Sequence, residues 1–234
     1  MSLPFDTREK LQEYIDKNAS QSFGLNGNLG ITSLDGINFP EKILYMHFFD
    51  MPIASLTNVI FPPSIMSLSM NGNNITTLKD VRFLPTMKTI QISNNKITSL
   101  DDVVFPPKLT DLSLHHNEIT SLAKVMFPPG LVSLNLSHNK ITSFAGMLFP
   151  LSLLSLQLAG NPIDVRTVSE LKNPSPFVIR EIVAAFPETG PHFQRMEEEK
   201  EEKIEQLFKM LYALNMKKEG GAKSRRKTCK KMKK

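Results

Sequence analysis

Apolar positions recur along this chain every 22 residues, and the register holds for most of its length. Ile occupies 31, 53, 75, 97, 119, 141 and 163, and Phe occupies 39, 61, 83, 105, 127 and 149. The clearest unit places Leu at 109, 112 and 114, then Ile119, Leu122, Val125 and Phe127. Its Leu-x-Leu segment alternates apolar and polar, which predicts a short strand with one buried face. A period of this length held over several copies predicts a stacked solenoid, because no single unit can bury its apolar side alone. The strands then stack into a parallel sheet, with Ile, Leu, Val and Phe lining a continuous core behind it.

Two further letters of the repeat fit that architecture. Asn follows the strand at 73, 95, 117, 139 and 161. A buried amide there pairs with backbone groups of its own and the neighbouring coil, forming a ladder across the stack. Phe-Pro-Pro at 61–63, 105–107 and 127–129, with Phe83-Leu84-Pro85 as a variant, stands half a period from the strand. Proline donates no ladder hydrogen bond and holds its predecessor extended, so the back of each coil is predicted to be extended or irregular rather than helical, with the rings stacked as a spine.

These residues resemble the leucine-rich-repeat family in its 22-residue class over about residues 24–173, in about seven units. The resemblance implies a curved α/β solenoid with a parallel sheet on the concave face, a non-enzymatic body, and a protein bound on that face. The Ile-Thr-Ser-Leu-x-x-Val-x-Phe-Pro-Pro form is similar to oomycete-type repeat proteins, some joined to tyrosine-kinase-like kinases. The first units depart from the pattern. Gly24 and Asn26 stand where the period places strand apolar residues, and Asp50 and Met51 replace the usual approach to Asn.

The flanks give a four-part organisation. Residues 1–23 form an N-terminal cap, with Leu11, Tyr14 and Ile15 on one face of a helix over 6–17. The solenoid occupies 24–173, a helical flank 174–218, and a basic tail 219–234. In the flank, Phe177, Ile179, Ile182, Val183 and Phe186 predict a short helix over 177–186. A longer helix follows over about 193–218, acidic at its start through Glu197–Glu199, Glu201 and Glu202. Its stripe of Ile204, Leu207, Phe208, Leu211 and Leu214 fits docking on the chain's own flank, or contact with a partner through 204–214.

Charge separates the tail from the body. Residues 217–234 hold ten Lys/Arg and one Glu, whereas the rest hold 18 basic and 22 acidic groups. Any nucleic-acid or membrane reading therefore concerns the tail alone, through Lys223, Arg225, Arg226, Lys227, Lys230 and Lys231. Its composition predicts disorder. Three uses compete: importin or nucleic-acid binding, contact with an acidic membrane or protein (Cys229 being a palmitoylation candidate), and solubility alone. Cys229 is the only cysteine, the N-terminus lacks a signal peptide's apolar stretch, and no apolar run approaches a membrane span. These features predict an intracellular protein, cytoplasmic and/or nuclear.

Candidate chemistry is confined to what the repeat leaves over. Residues alternating with the Leu-x-Leu positions face outward on the sheet. The larger ones, Tyr45, His47, Phe49, Gln91, Asp111, His115, Asn135 and Gln157, are the candidate protein-binding residues, because aromatic and adjacent polar groups are the usual anchors. Small neutral residues fill most of the face, and no Lys/Arg stripe suited to a phosphate backbone runs across it. His116 and His138, one period apart, suggest a metal pair but lack the third and fourth ligands such a site needs. Gly24, Gly27 and Gly30 have the wrong spacing for a dinucleotide loop, and no P-loop, kinase or nucleophile-elbow motif occurs. The sequence therefore predicts no cofactor, no metal and no catalytic site.

Overall fold

A computed structural model describes residues 7–171 and 174–206. The chain divides into two units, Met1–Thr189 and Gly190–Lys234. In the first, helix α1 (Arg8–Asn18) leads into seven strands: β1 (Ser22–Asn26), β2 (Tyr45–Phe49), β3 (Ser67–Ser69), β4 (Thr89–Gln91), β5 (Asp111–Ser113), β6 (Ser133–Asn135) and β7 (Ser155–Gln157). They form one parallel sheet in sequence order, one strand per coil. A 3-10 segment (Val165–Glu170) and helix α2 (Pro176–Ala185) close the far end. The expected solenoid, extended back and helical ends are all present.

Each repeating letter has a structural task. Strand residues Met46, Leu68, Ile90, Leu112, Leu134 and Leu156 point inward and are buried. The asparagine ladder is as expected. Asn95, Asn117, Asn139 and Asn161 donate through Nδ2 to the carbonyls of Met70, Ile92, Leu114 and Leu136 in the preceding coil. Their Oδ1 atoms accept from the N–H groups of Ile75, Ile97, Ile119 and Ile141. At the start of the ladder Met51 is a buried apolar residue in the asparagine position, and the Oδ1 of Asn73 is buried without a partner.

Two turns per coil build the extended back. In the first, Leu56, Leu78, Leu100 and Leu122 accept at their carbonyls from the N–H three residues on, and Asp80 and Asp102 take positive φ at the third position. The Ser or Thr before each such Leu helps form this turn. Ser55, Thr77, Ser99 and Ser121 accept through their hydroxyls from the N–H two residues on. The second turn explains Phe-Pro-Pro. Pro62, Leu84, Pro106 and Pro128 accept from Ile65, Met87, Leu109 and Leu131, so the second proline stands where a fixed φ favours the turn. That is why the Phe83-Leu84-Pro85 copy keeps its second proline and not its first.

The phenylalanine spine also sets the curvature. Successive rings from Phe61 to Phe149 stack at 6.5, 6.5, 6.1 and 6.4 Å. Paired strands lie only ~4.8 Å apart. Coils spaced more widely at the rings than at the strands must fan outward, which puts the sheet on the concave side. Phe61, Phe105 and Phe149 are buried, and Phe83 and Phe127 are half-buried.

The first unit corrects the sequence reading. Phe23 and Leu25, not Gly24 and Asn26, are the inward strand residues, and Phe23 pairs in register with Met46. Gly27 and Asp50 occupy equivalent left-handed turn positions, with four residues from Gly27 to Ile31 against three from Asp50 to Ile53. One extra residue after the first strand shifts its register by one and exchanges its two faces.

Both ends of the solenoid are covered. Helix α1 is capped by the Thr7 hydroxyl and buries Leu11 and Ile15. The Gln12 amide exchanges two 2.8 Å hydrogen bonds with the backbone N–H and C=O of Asn38. At the other end α2, capped by Ser175, buries Val178 and Ile182, and Phe186 sets its ring edge-on to Phe144 at 6.1 Å. The second unit is helical over 190–206, starting earlier than expected. Of its apolar stripe, Ile204 is exposed; Leu207, Phe208, Leu211, Leu214 and the basic tail lie outside the described residues.

Candidate functional site: the concave face of the sheet

Strand alternation and coil stacking organise the outward side chains into three columns. One column runs Tyr45, Ser67, Thr89, Asp111, Ser133, Ser155. The next runs His47, Ser69, Gln91, Ser113, Asn135, Gln157. The third, at the strand ends, runs Phe49, Asn71, Ser93, His115, Ser137, Ala159. All eight candidate residues therefore lie on one face, but not as one cluster.

The aromatic group is at the N-terminal end. Tyr45 is 45% exposed, and the His47 and Phe49 rings stack at 5.8 Å. Gly24 makes this possible: a Cβ there would collide with the His47 ring and its backbone oxygen. The imidazole therefore lies against bare β1 backbone. Beyond this platform the floor drops to Ser67, Ser69 and Thr89. Ser69 donates to Gln91 Oε1 at 3.3 Å and accepts from Asn71 Nδ2 at 3.3 Å. Asp111 is exposed, accepts from the Thr110 hydroxyl at 2.6 Å, and is the only fixed charge in the three columns. Asn135 folds back, accepting at Oδ1 from the N–H and hydroxyl of Ser137 at 3.0 and 2.7 Å. Gln157 is exposed near the far end.

His115 has partners that residue identity did not announce. Its Nδ1 lies 2.8 Å from Ser93 Oγ and 2.9 Å from Ser113 Oγ, and those two hydroxyls are 3.1 Å apart. Burial holds the His115 imidazole below its ordinary pKa, and the nearby His116 and His138 lower it further. Nothing in this triangle supplies an acid to orient the imidazole, so it reads as a polar clasp joining β4 to β5. Only the shared column of Ser93 and His115, one period apart, pointed to it.

His116 and His138 do not make a metal site. Their rings stack at 4.4 Å and 6°, so the ring lone pairs lie in parallel planes and cannot meet at one ion. Among the described residues no group of three or more His, Cys, Asp or Glu is placed to hold a metal. Both histidines occupy the left-handed turn column Asp50, Gly72, Asn94, His116, His138, Gly160. Gly160 sits directly against the His138 ring.

The back of the solenoid carries a feature the sequence reading missed. Ile60, Val104, Met126 and Leu148, each immediately before a spine phenylalanine, are 53–84% exposed. Their 22-residue spacing was the available signal.

The fold this geometry defines is a leucine-rich-repeat solenoid. Residues 107–163 match the leucine rich repeat family model, and the same strand, asparagine and spine geometry continues on both sides. The chain is similar to internalin C2 of Listeria monocytogenes, at TM-score 0.50 and 22% identity, over 71% of this chain and 82% of that one. It also matches an internalin F of the same organism at TM-score 0.47 and 21% identity, over 74% of this chain and 50% of that one. A third match is an internalin-like protein of that organism, at TM-score 0.47 and 25% identity, over 66% and 49%. The chain thus spans about half the length of the last two. No curated protein matches it.

Proposed function

We propose that this chain is a non-enzymatic scaffold or adaptor that binds a protein on the concave face of its solenoid. One observation carries the reading. Every repeating letter is consumed by stacking, while the outward strand positions vary from coil to coil and leave Tyr45, Gln91, Asp111 and Gln157 exposed to solvent. Solenoids present such faces as extended binding surfaces. Tyr45, Gln91 and Asp111 are exposed, and Phe49 is half-buried, on a floor made mostly of serine and threonine. The Phe-Pro-Pro form of the unit supports placing the repeats with the oomycete type. The intracellular setting rests on the single cysteine, Cys229, and is tested by fractionation.

A second reading makes the solenoid a passive body and the basic tail the binding element for nucleic acid, importin or an acidic membrane. The charge of 217–234 favours it. Affinity capture with the full chain and with 217–234 deleted separates the two, each at low and high salt. Tail-driven binding weakens steeply with salt and vanishes with the deletion. Concave-face binding survives the deletion and is lost on Tyr45→Ala plus Phe49→Ala.

A further inference from the structure

The concave face is chemically lopsided. Its tyrosine and phenylalanine, Tyr45 and Phe49, both stand on β2, with His47 between them. Its one fixed charge, Asp111, stands on β5 in the same column as Tyr45. Only Ser67 and Thr89 separate the two, so the column is a trough about 14 Å long, three strand spacings, with an aromatic wall at one end and a carboxylate at the other. Asp111 makes no ion pair among the described residues. Its hydrogen bond to Thr110 leaves a carboxylate facing solvent beside the sheet. Lys88, whose backbone carbonyl accepts from the Asp111 N–H, precedes β4 and lies outside the outward columns.

We propose that the protein partner anchors in this trough, with an apolar side chain on the Tyr45–Phe49 platform and a lysine or arginine on Asp111. The inference rests on the concave-face reading and adds the partner's chemistry to it. Exposed Tyr45 and the stacked His47 and Phe49 rings gain most from covering by an aliphatic or aromatic group, which excludes water from the rings. A single anionic group on an otherwise neutral face selects a cation and disfavours acidic segments. The spacing sets the segment. An extended chain rising ~3.3 Å per residue covers about 14 Å in about four residues. A helix rising 1.5 Å per residue needs about nine. The partner therefore carries a basic residue about four positions from an apolar one in an extended segment, or about seven or eleven positions away in a helix, the spacings that bracket this length and keep both side chains on one helix face. The low relief between the two anchors, serine and threonine, admits main chain close to the sheet.

The probe is a random peptide library displayed on phage and selected on the immobilised full chain. Selected peptides are then measured by fluorescence anisotropy against the wild type, Asp111→Asn, Asp111→Lys, and Tyr45→Ala plus Phe49→Ala. Tyr45 and Asp111 are exposed and Phe49 is half-exposed, so the fold is retained; thermal melts check this. The expected result is enrichment of peptides with the apolar–basic spacing. Their affinity falls about tenfold or more on Asp111→Lys, less on Asp111→Asn, and is lost in the aromatic double variant. Peptides that need the aromatic pair but ignore Asp111 overturn this inference and leave the concave-face reading standing. Peptides that ignore both sets of substitutions overturn both. A selection that yields acidic peptides, or none carrying a cation, also overturns the inference.

Discussion

Asn117→Ala tests the asparagine ladder where it is complete. Asn117 donates to the Ile92 carbonyl at 2.9 Å and the Leu114 carbonyl at 3.0 Å, and accepts from the Ile97 N–H at 3.0 Å. Leu114 keeps a partner after the substitution, because Asn139 also donates to it at 3.0 Å. The Ile92 carbonyl and the Ile97 N–H belong to residues with no exposed surface and lose their amide partner. Two buried unsatisfied backbone groups at about 1–3 kcal/mol each predict a loss of about 2–6 kcal/mol. Asn73→Ala is the internal control. The Oδ1 of Asn73 has no partner to lose, and its donation to the Asn71 carbonyl duplicates one from the Asp50 N–H. Only the Phe48 carbonyl is orphaned, which predicts about 1–3 kcal/mol. Equilibrium urea unfolding followed by far-ultraviolet circular dichroism measures both, with an unchanged m-value required so that the same unit unfolds. An Asn73→Ala cost equal to or above that of Asn117→Ala refutes the ladder accounting.

Three further substitutions probe other columns. Phe105→Ala removes a buried ring stacked between two others and is expected to cost about 3–5 kcal/mol in the same assay, more than the half-buried Phe83→Ala. Gly160→Ala puts a side chain at φ +74° and a Cβ against the His138 ring, so it costs more than the ~1–2 kcal/mol of the left-handed backbone alone. Adding His138→Ala removes the collision, and the double variant should lose less than the sum of the singles. The folded chain disfavours protonated His115, chiefly through burial and then through His116 and His138. The unfolded chain therefore binds that proton more readily, and stability falls as pH drops through the ordinary imidazole range, about 6.5. His115→Gln should show a smaller fall in urea midpoint than the wild type between about pH 7.5 and about pH 5. An equal fall contradicts the assignment.

The fold was legible because each repeating residue type has one task that its chemistry announces. An apolar residue on alternate strand positions packs inward, a buried amide pairs with backbone, and a second proline fixes a turn. The first-unit register was not legible. The segment Asn26-Gly27-Asn28-Leu29-Gly30 has no strong anchor, so an extra residue there leaves the downstream period intact and moves β1 alone. The left-handed column was hidden for another reason. Backbone conformation, not side-chain chemistry, unites Asp50, Gly72, Asn94, His116 and His138. That mixture made His116 and His138 resemble a ligand pair when they are turn residues. For the candidate site, strand alternation assigned the outward residues correctly. Their relations, such as the Gly24 recess under His47 and the hydroxyl pair at His115, depend on distances between coils that composition does not encode.

The concave-face account is tested most directly by placing the same obstruction on the two sides of the solenoid. Thr89→Arg puts a large cation in the trough between Tyr45 and Asp111, whereas Met126→Arg puts it on the exposed back, where Met126 is 84% exposed. The measurement is the affinity of a captured protein partner for each folded variant. The account predicts that Thr89→Arg abolishes binding and Met126→Arg leaves it unchanged. Binding that survives Thr89→Arg and is lost with Met126→Arg contradicts it.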